Sequence, residues 1–288
     1  MHVSDWLRLL LLAGLWGGSF AFIRVAAPVL GAFWLAFARV ALAFAALFAL
    51  ALGRRAVPSL LPHWRGYAVI GVVNSALPFA LFSFAEQYIT ASAAAILNAT
   101  SPFFAGIVAA LWLKEALTLR KLAGMGLGFA GVALLVGWQS ERLSGMSLLA
   151  TLACLAAALC YGVASVYAKR NMVGVPSAAV ALYSQFTAAI FLAPALCFVP
   201  LPNSPSPLVV ANVLALALAS TALAYLLYFR LIATIGPARA LTVTFLIPLF
   251  GVLWGYLFLG EPLTANMLAG CGLILGGTWI AARDQGSA

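Results

Sequence analysis

Apolar residues fill the chain in stretches of about twenty, separated by short breaks rich in Pro, Gly and charge, with no polar face of the kind an amphipathic surface helix presents. Such windows predict helical spans near residues 6–26, 32–52, 66–86, 93–113 and 121–138, then 146–168, 177–198, 209–229, 238–258 and 264–282. A helix of about 20 residues crosses the hydrocarbon core. The pattern therefore predicts an all-α integral membrane protein of ten transmembrane helices with short loops and no soluble domain. The first apolar run begins beside Arg8 like a secretory signal, but its removal would leave an odd number of spans, so it reads as the first of the ten.

The chain repeats itself. Pro102, Glu115, Leu117, Thr118, Ala123, Gly124, Gly126 and Gly131 recur 146 residues later as Pro248, Glu261, Leu263, Thr264, Ala269, Gly270, Gly272 and Gly277, with 13 identities in 37 aligned positions. One residue out of that register, Trp16-Gly17 matches Tyr161-Gly162 and Arg24 matches Lys169. Residues 1–143 and 144–288 thus form two units of five spans. Five is odd, so the second unit enters from the opposite face, and the repeats are inverted about an axis in the membrane plane. That architecture is the mark of alternating access, with a site near the midplane where the repeats meet.

Composition sharpens the picture. Of 288 residues 65% are hydrophobic and 7% charged, which excludes a water-soluble globule. The formal charge of +9 would suggest nucleic acid in a soluble protein; here it reads as a topology signal, and no nucleic-acid partner is expected. Twelve Lys and Arg fall on the side of the N-terminus and three (Arg24, Arg39, Arg142) on the other, which predicts both termini in the cytoplasm.

Polar groups inside a bilayer are expensive and face protein or a cavity. One stripe is both polar and repeated. Ser75, Phe79, Phe82 and Glu86, beside Asn74, share a helix face in the third span, and their counterparts in the eighth are Thr221, Tyr225, Tyr228 and Ile232. Pro102 and Pro248 are expected to break the fourth and ninth spans, freeing the carbonyls of Asn98 and Thr244. Mid-span Trp16 and its counterpart Tyr161 are candidate walls of a pathway, and Phe37 and Arg39 correspond to Tyr183 and Gln185. These residues form the candidate substrate site. Arg39 and Glu86 are expected to pair; that pair is either structural, each relieving the other's desolvation, or functional, binding a zwitterion's ends or carrying a coupling proton.

Other features read structurally. Seven tryptophans near span ends, Trp254 among them, suit an interfacial belt. Glu115 and Glu261, each with a Thr three residues on (Thr118 and Thr264), are expected to cap the next helix, acid and Thr together. Glycines of the fifth and tenth spans, Gly124 to Gly128 and Gly272 to Gly276, favour close helix contact, within a monomer or across a weak homodimer. Cys154, Cys160, Cys197 and Cys271 have no metal-ligand spacing, and only His2 and His63 are present. No metal, cofactor, phosphate loop or catalytic dyad is therefore expected.

Trp16-Gly17-Gly18-Ser19-Phe20, Arg39, Ala85, Pro102, Glu115, Gly124 and Gly131, with Pro248-Glu261-Gly270-Gly277 repeating the last motif, resemble the EamA-type family of the drug/metabolite transporter superfamily, most closely its YddG-type amino-acid exporters. The resemblance covers nearly the whole chain. It implies a ten-helix basket around a central cavity, with the fifth helix of each half peripheral, in a bacterial cytoplasmic membrane, exporting amino acids or related small metabolites. Amphipathic drugs or nucleotide-sugar-like solutes are the alternative. Glu86, where the pattern has an apolar residue, and Gln185, in place of a second Arg, depart from it.

Overall fold

The computed structural model describes residues 2–137, 145–200, 204–236, 240 and 242–282. The repeat boundary expected at 143/144 lies outside them, as do Trp138, Glu141, Arg142, Arg239, Arg283 and Asp284. Among the described residues every regular element is helical. Six helical runs are long and apolar enough to cross a membrane, and two further apolar helices are shorter.

Helix α1 (Val3–Gly53) covers the first two expected windows without a loop. Its 51 residues would extend about 75 Å, over twice the hydrocarbon thickness. The kink that divides it is Gly31, at φ +73°, a conformation that a Cβ would strain. The third window is one continuous run made of α2 (Trp64–Gly71), a π-helical turn (Val72–Ala76) and α3 (Leu77–Ala85). Pro78 has no N–H to offer the Asn74 carbonyl four residues earlier, and the helix widens there. The fourth window is broken at Ala99-Thr100 into α4 (Ala91–Asn98) and α5 (Ser101–Leu113), with Pro102 in the first turn of α5. The carbonyl of Asn98 is not left free, because the Ser101 hydroxyl donates to it at 2.7 Å. Helix α6 (Leu119–Gly137) closes this half.

The second half begins with α7 (Gly145–Asn171) and α8 (Ser177–Leu196). Next come α9 (Pro207–Leu214), a longer π-helical segment (Ala215–Leu223) and α10 (Ala224–Ile235). Both π segments contain the polar stripe, Ser75 in one and Thr221 in the other. No proline explains the second. Instead the Thr221 hydroxyl donates to the Leu216 carbonyl at 2.9 Å, and that of Ser220 to Leu15 on α1 at 2.7 Å. Helices α11 (Val243–Leu259) and α12 (Ala265–Ala282) complete the chain. The expected break at Pro248 is not present: this proline is the sixth residue of a continuous α11, where it removes only the one bond to the Thr244 carbonyl in the first turn.

Glycines set the closest approaches. A Cβ on Gly17 would meet the Phe250 Cβ at 2.6 Å and the Gly251 nitrogen at 2.8 Å; one on Gly162 would meet the Ala105 nitrogen at 2.7 Å and the Phe104 carbonyl carbon at 2.8 Å. Each half's first span therefore lies backbone to backbone on the fourth window of the other. Helices α6 and α12 run antiparallel in a glycine seam, Gly124 against Gly277 and Gly131 against Gly270. The expected close contact is thus spent within the chain. Its members are spaced by seven residues rather than four, since Gly126 and Gly272 have nothing within 4 Å of an added Cβ and Gly128 faces Phe103.

Substituting Gly131, whose Cβ would lie 2.7 Å from the Gly270 carbonyl oxygen, tests this seam. Gly131→Leu should cost about 1–3 kcal/mol by overpacking and lower the Tm in detergent by roughly 2–10 °C. Gly126→Leu, facing open space, should leave Tm unchanged or slightly raised.

Candidate functional site

The two π segments bring a polar cluster to the interface of the halves. Arg39 Nε donates to Thr221 Oγ1 at 3.0 Å, and Gln185 Nε2 donates to Ser75 Oγ at 3.0 Å. Arg39 and Gln185 stand 146 residues apart, as do Ser75 and Thr221, so the same bond is made twice with the halves exchanged. Asn74 Nδ2 donates to the Tyr225 hydroxyl at 3.1 Å, and Tyr225 also lies within the reach of Ser75, Gln185 and Arg39. The guanidinium carbon of Arg39 sits 3.5 Å from the centre of the Phe79 ring, a cation–π contact in desolvated surroundings.

The aromatic candidates extend from this cluster. Trp16 packs on Tyr228 with ring centres 5.4 Å apart, and Tyr161 on Phe82 at 6.3 Å. These too are equivalent contacts exchanged between the halves. Phe20 joins Phe82, and Phe229 stacks on Tyr225 at 5.9 Å. Phe229 and Ser184 were not singled out from sequence, and Phe20 only as the end of the Trp16–Phe20 motif; Phe229 lies one helical turn from Tyr225, which was the available signal. Next to Tyr225, a cavity of about 140 Å³ lined by Leu47, Leu50, Arg54, Leu182, Leu226 and Phe229 opens toward the basic 54–65 loop.

The expected Arg39–Glu86 ion pair is not formed. Arg39 is committed to Thr221 and Phe79, and among the described residues it makes no ion pair. Glu86 is fully buried, and neither of its carboxylate oxygens has a hydrogen-bond partner. The reason is distance along the helix. Arg39 lies level with Phe79, whereas Glu86 follows Phe79 by seven residues, about 10 Å of helix rise. Arg24 donates instead to the Glu86 backbone carbonyl, where a cation suits a helix C-terminus. Two further buried acceptors have no partner, Gln185 Oε1 and Asn98 Oδ1.

Tyr183 is not part of the cluster. Its hydroxyl donates to the Pro58 carbonyl and its ring packs on Tyr67, so it anchors a loop. Thr244 lies in the first turn of α11.

The two repeated glutamates behave unequally. Both follow a residue in the left-handed region, Lys114 at φ +56° and Gly260 at φ +65°. Capping of the next helices falls to Thr118 and Thr264, which accept from Lys121 N and Met267 N at 3.2 Å. Glu261, buried, reaches across to the start of α4 instead. It accepts from Ala91 N at 2.7 Å, Ser92 N at 2.9 Å and Ser92 Oγ at 2.5 Å. Nearby, Trp254 Nε1 donates to the Gly14 carbonyl at 2.9 Å, so this tryptophan seals an internal contact rather than joining an interfacial belt. Glu115 lies half-buried at the opposite end, where Lys169 Nζ donates to it at 2.9 Å and holds its carboxyl below the usual carboxylate range.

Long apolar helices that enclose a buried polar cluster are those of a multi-pass membrane protein. The chain belongs to the EamA-like transporter family, whose model matches residues 6–137 and again 148–283. It is 28% identical to an uncharacterized transporter of Archaeoglobus fulgidus over 98% of this chain and 100% of the relative. A probable amino-acid metabolite efflux pump of Salmonella typhimurium is 28% identical over 97% and 95% of the two chains. A probable terminal-alkyne amino-acid exporter of Streptantibioticus cattleyicolor is 26% identical over 93% and 90%. A solved crystal structure has the same fold, with a TM-score of 0.67 at 20% identity over 98% of each chain.

Proposed function

We propose that the chain is a ten-span secondary transporter that exports amino acids or related small metabolites from the bacterial cytoplasm. On this reading two inverted repeats, about 1–143 and 144–288, alternate access to a central site, with both termini in the cytoplasm. The observation that carries the substrate class is Arg39, a buried guanidinium with no acidic partner among the described residues. A fixed, desolvated cation attracts a carboxylate and repels the cationic drugs of the alternative reading. Nucleotide sugars, with two phosphates, would call for more than one such cation, and the other polar groups of the cluster are neutral. The names of the Salmonella and Streptantibioticus relatives point the same way. In proteoliposome counterflow with a labelled amino-acid panel, Arg39→Gln should lower exchange at least about tenfold, the scale of one charge-assisted hydrogen bond. Exchange at the wild-type rate would refute the assignment.

Alternating access is supported by the inequality of the two glutamates. The Glu261 carboxylate holds three donors at the start of α4, whereas among the described residues Glu115 holds only the Lys169 ammonium; we read this as a state closed to the outside. The sequence biases the pair. At the positions 146 residues after Ala91 and Ser92 stand Pro237 and Ala238, which offer one of the three donors that Glu261 uses. Weakening the clamp should therefore expose the outer side. With the native cysteines removed, a cysteine placed at Ser19 should react several-fold faster with an impermeant maleimide added outside when Glu261→Gln is introduced. Unchanged labelling would count against the clamp.

A second reading concerns coupling. A fully buried carboxylate without a donor is far costlier ionised than protonated, so Glu86 is proposed to hold a proton in this state and to release it in the other. Wild type should then accumulate substrate when a pH gradient is imposed. Glu86→Gln should keep counterflow and lose accumulation. Identical accumulation by both would leave Glu86 with a structural role.

A further inference from the structure

We infer that Gln185 is the specificity-determining residue that receives the substrate's α-ammonium group, opposite the carboxylate held by Arg39. The inference rests on the amino-acid reading above and adds to it the means of telling an amino acid from the same molecule without its ammonium.

The argument begins from equivalence. Arg39 and Gln185 occupy matching positions in the two halves and make matching 3.0 Å bonds, one to Thr221 and the other to Ser75. Both border Tyr225. Position is therefore shared and chemistry is opposite: an obligate donor on one side, an amide on the other. The amide nitrogen of Gln185 is already used, donating to Ser75 Oγ and, at 3.3 Å, to Ser184 Oγ. Its oxygen has no partner although the residue is fully buried.

A buried carbonyl oxygen left unsatisfied costs about 1–3 kcal/mol, and native interiors seldom tolerate one without use. A ligand N–H removes that cost. The ligand group must be a donor, and it must belong to a molecule whose other end suits a guanidinium. An α-amino acid presents both, with carboxylate and ammonium on one carbon. A 2-hydroxy acid keeps the carboxylate and side chain but replaces the three N–H donors by one O–H. The neutral acceptor also suits export, because it binds an ammonium without the grip of a buried carboxylate, and a carrier must release what it takes.

The test compares amino acids with their 2-hydroxy analogues in one assay. Counterflow is measured in proteoliposomes for L-leucine and L-phenylalanine, and for 2-hydroxy-4-methylpentanoate and 3-phenyllactate, with wild type, Gln185→Met and Gln185→Leu. Met has the length of Gln and no comparable acceptor, so it preserves packing; Leu is the second variant should Met fail to yield monodisperse protein. Wild type should prefer the amino acids. Either variant should lower amino-acid exchange at least about tenfold and hydroxy-acid exchange, which loses only a neutral O–H bond, by about threefold at most, narrowing the preference. An equal fall for both classes would mean that Gln185 only supports Ser75, and an unchanged preference would mean that it does not meet the ammonium; either overturns the inference alone. Wild type that exchanges hydroxy acids but no amino acid would overturn the inference and the amino-acid reading together.

Discussion

Inside a bilayer no water is available to bond a backbone group that leaves the helical ladder, and this constraint organises the whole molecule. At several departures from α-helix among the described residues a side chain takes water's place, in part from the other half. Glu261 receives the N–H groups at the start of α4. Ser220, within the second π segment, donates to the Leu15 carbonyl of α1, and the Thr278 hydroxyl reaches the Ala99 carbonyl at the break between α4 and α5. Departures from regular structure are consequently the places where the halves hold each other. A conformational change must exchange these bonds in concert, since breaking one without replacement strands a polar group in an apolar medium.

The glycine seam and the aromatic contacts divide the remaining labour. Between α6 and α12 the fit is backbone on backbone, with no room for a methyl group, so that pair behaves as a fixed buttress. Around the polar cluster the contacts are ring on ring at 5.4 to 6.3 Å, and such surfaces can slide with little loss of dispersion energy. A rigid seam beside a more tolerant centre fits the alternating access proposed above.

Much of this was legible because it is local or repeated. Most apolar windows overlap an observed helix closely, but the first two lie in one kinked helix and the eighth runs on to Ile235. The break after Asn98 and the capping threonines Thr118 and Thr264 could be read from residue type and position; close contact of the glycine-rich helices could be read too, but not its seven-residue spacing. The polar stripe was legible because lipid makes polar residues conspicuous. What escaped depends on registers that sequence does not display. The π turns change which residues share a face; Pro78 hinted at one, while the other rests on hydroxyl bonds of Ser220 and Thr221 that composition cannot announce. The Glu261 clamp spans about 170 residues of chain. Arg39 and Glu86 looked like partners as the outstanding charges of the apolar spans, yet two helical turns separate their levels. Pro248 repeats Pro102 in sequence and not in effect, because the consequence of a proline depends on where its helix starts.

The matching positions of Arg39 and Gln185 carry a consequence for ancestry. Two identical five-span chains assembled about a two-fold axis must place the same side chain at both positions, two arginines or two glutamines. Such a symmetric site is suited to a ligand that is itself symmetric or is indifferent to being turned end for end. Joining the halves in one polypeptide lifts that restriction, since each position can then mutate without its twin. The unlike pair now present is a chemistry that a homodimer could not have encoded, and it gives gene fusion a selective advantage that concerns recognition rather than stability.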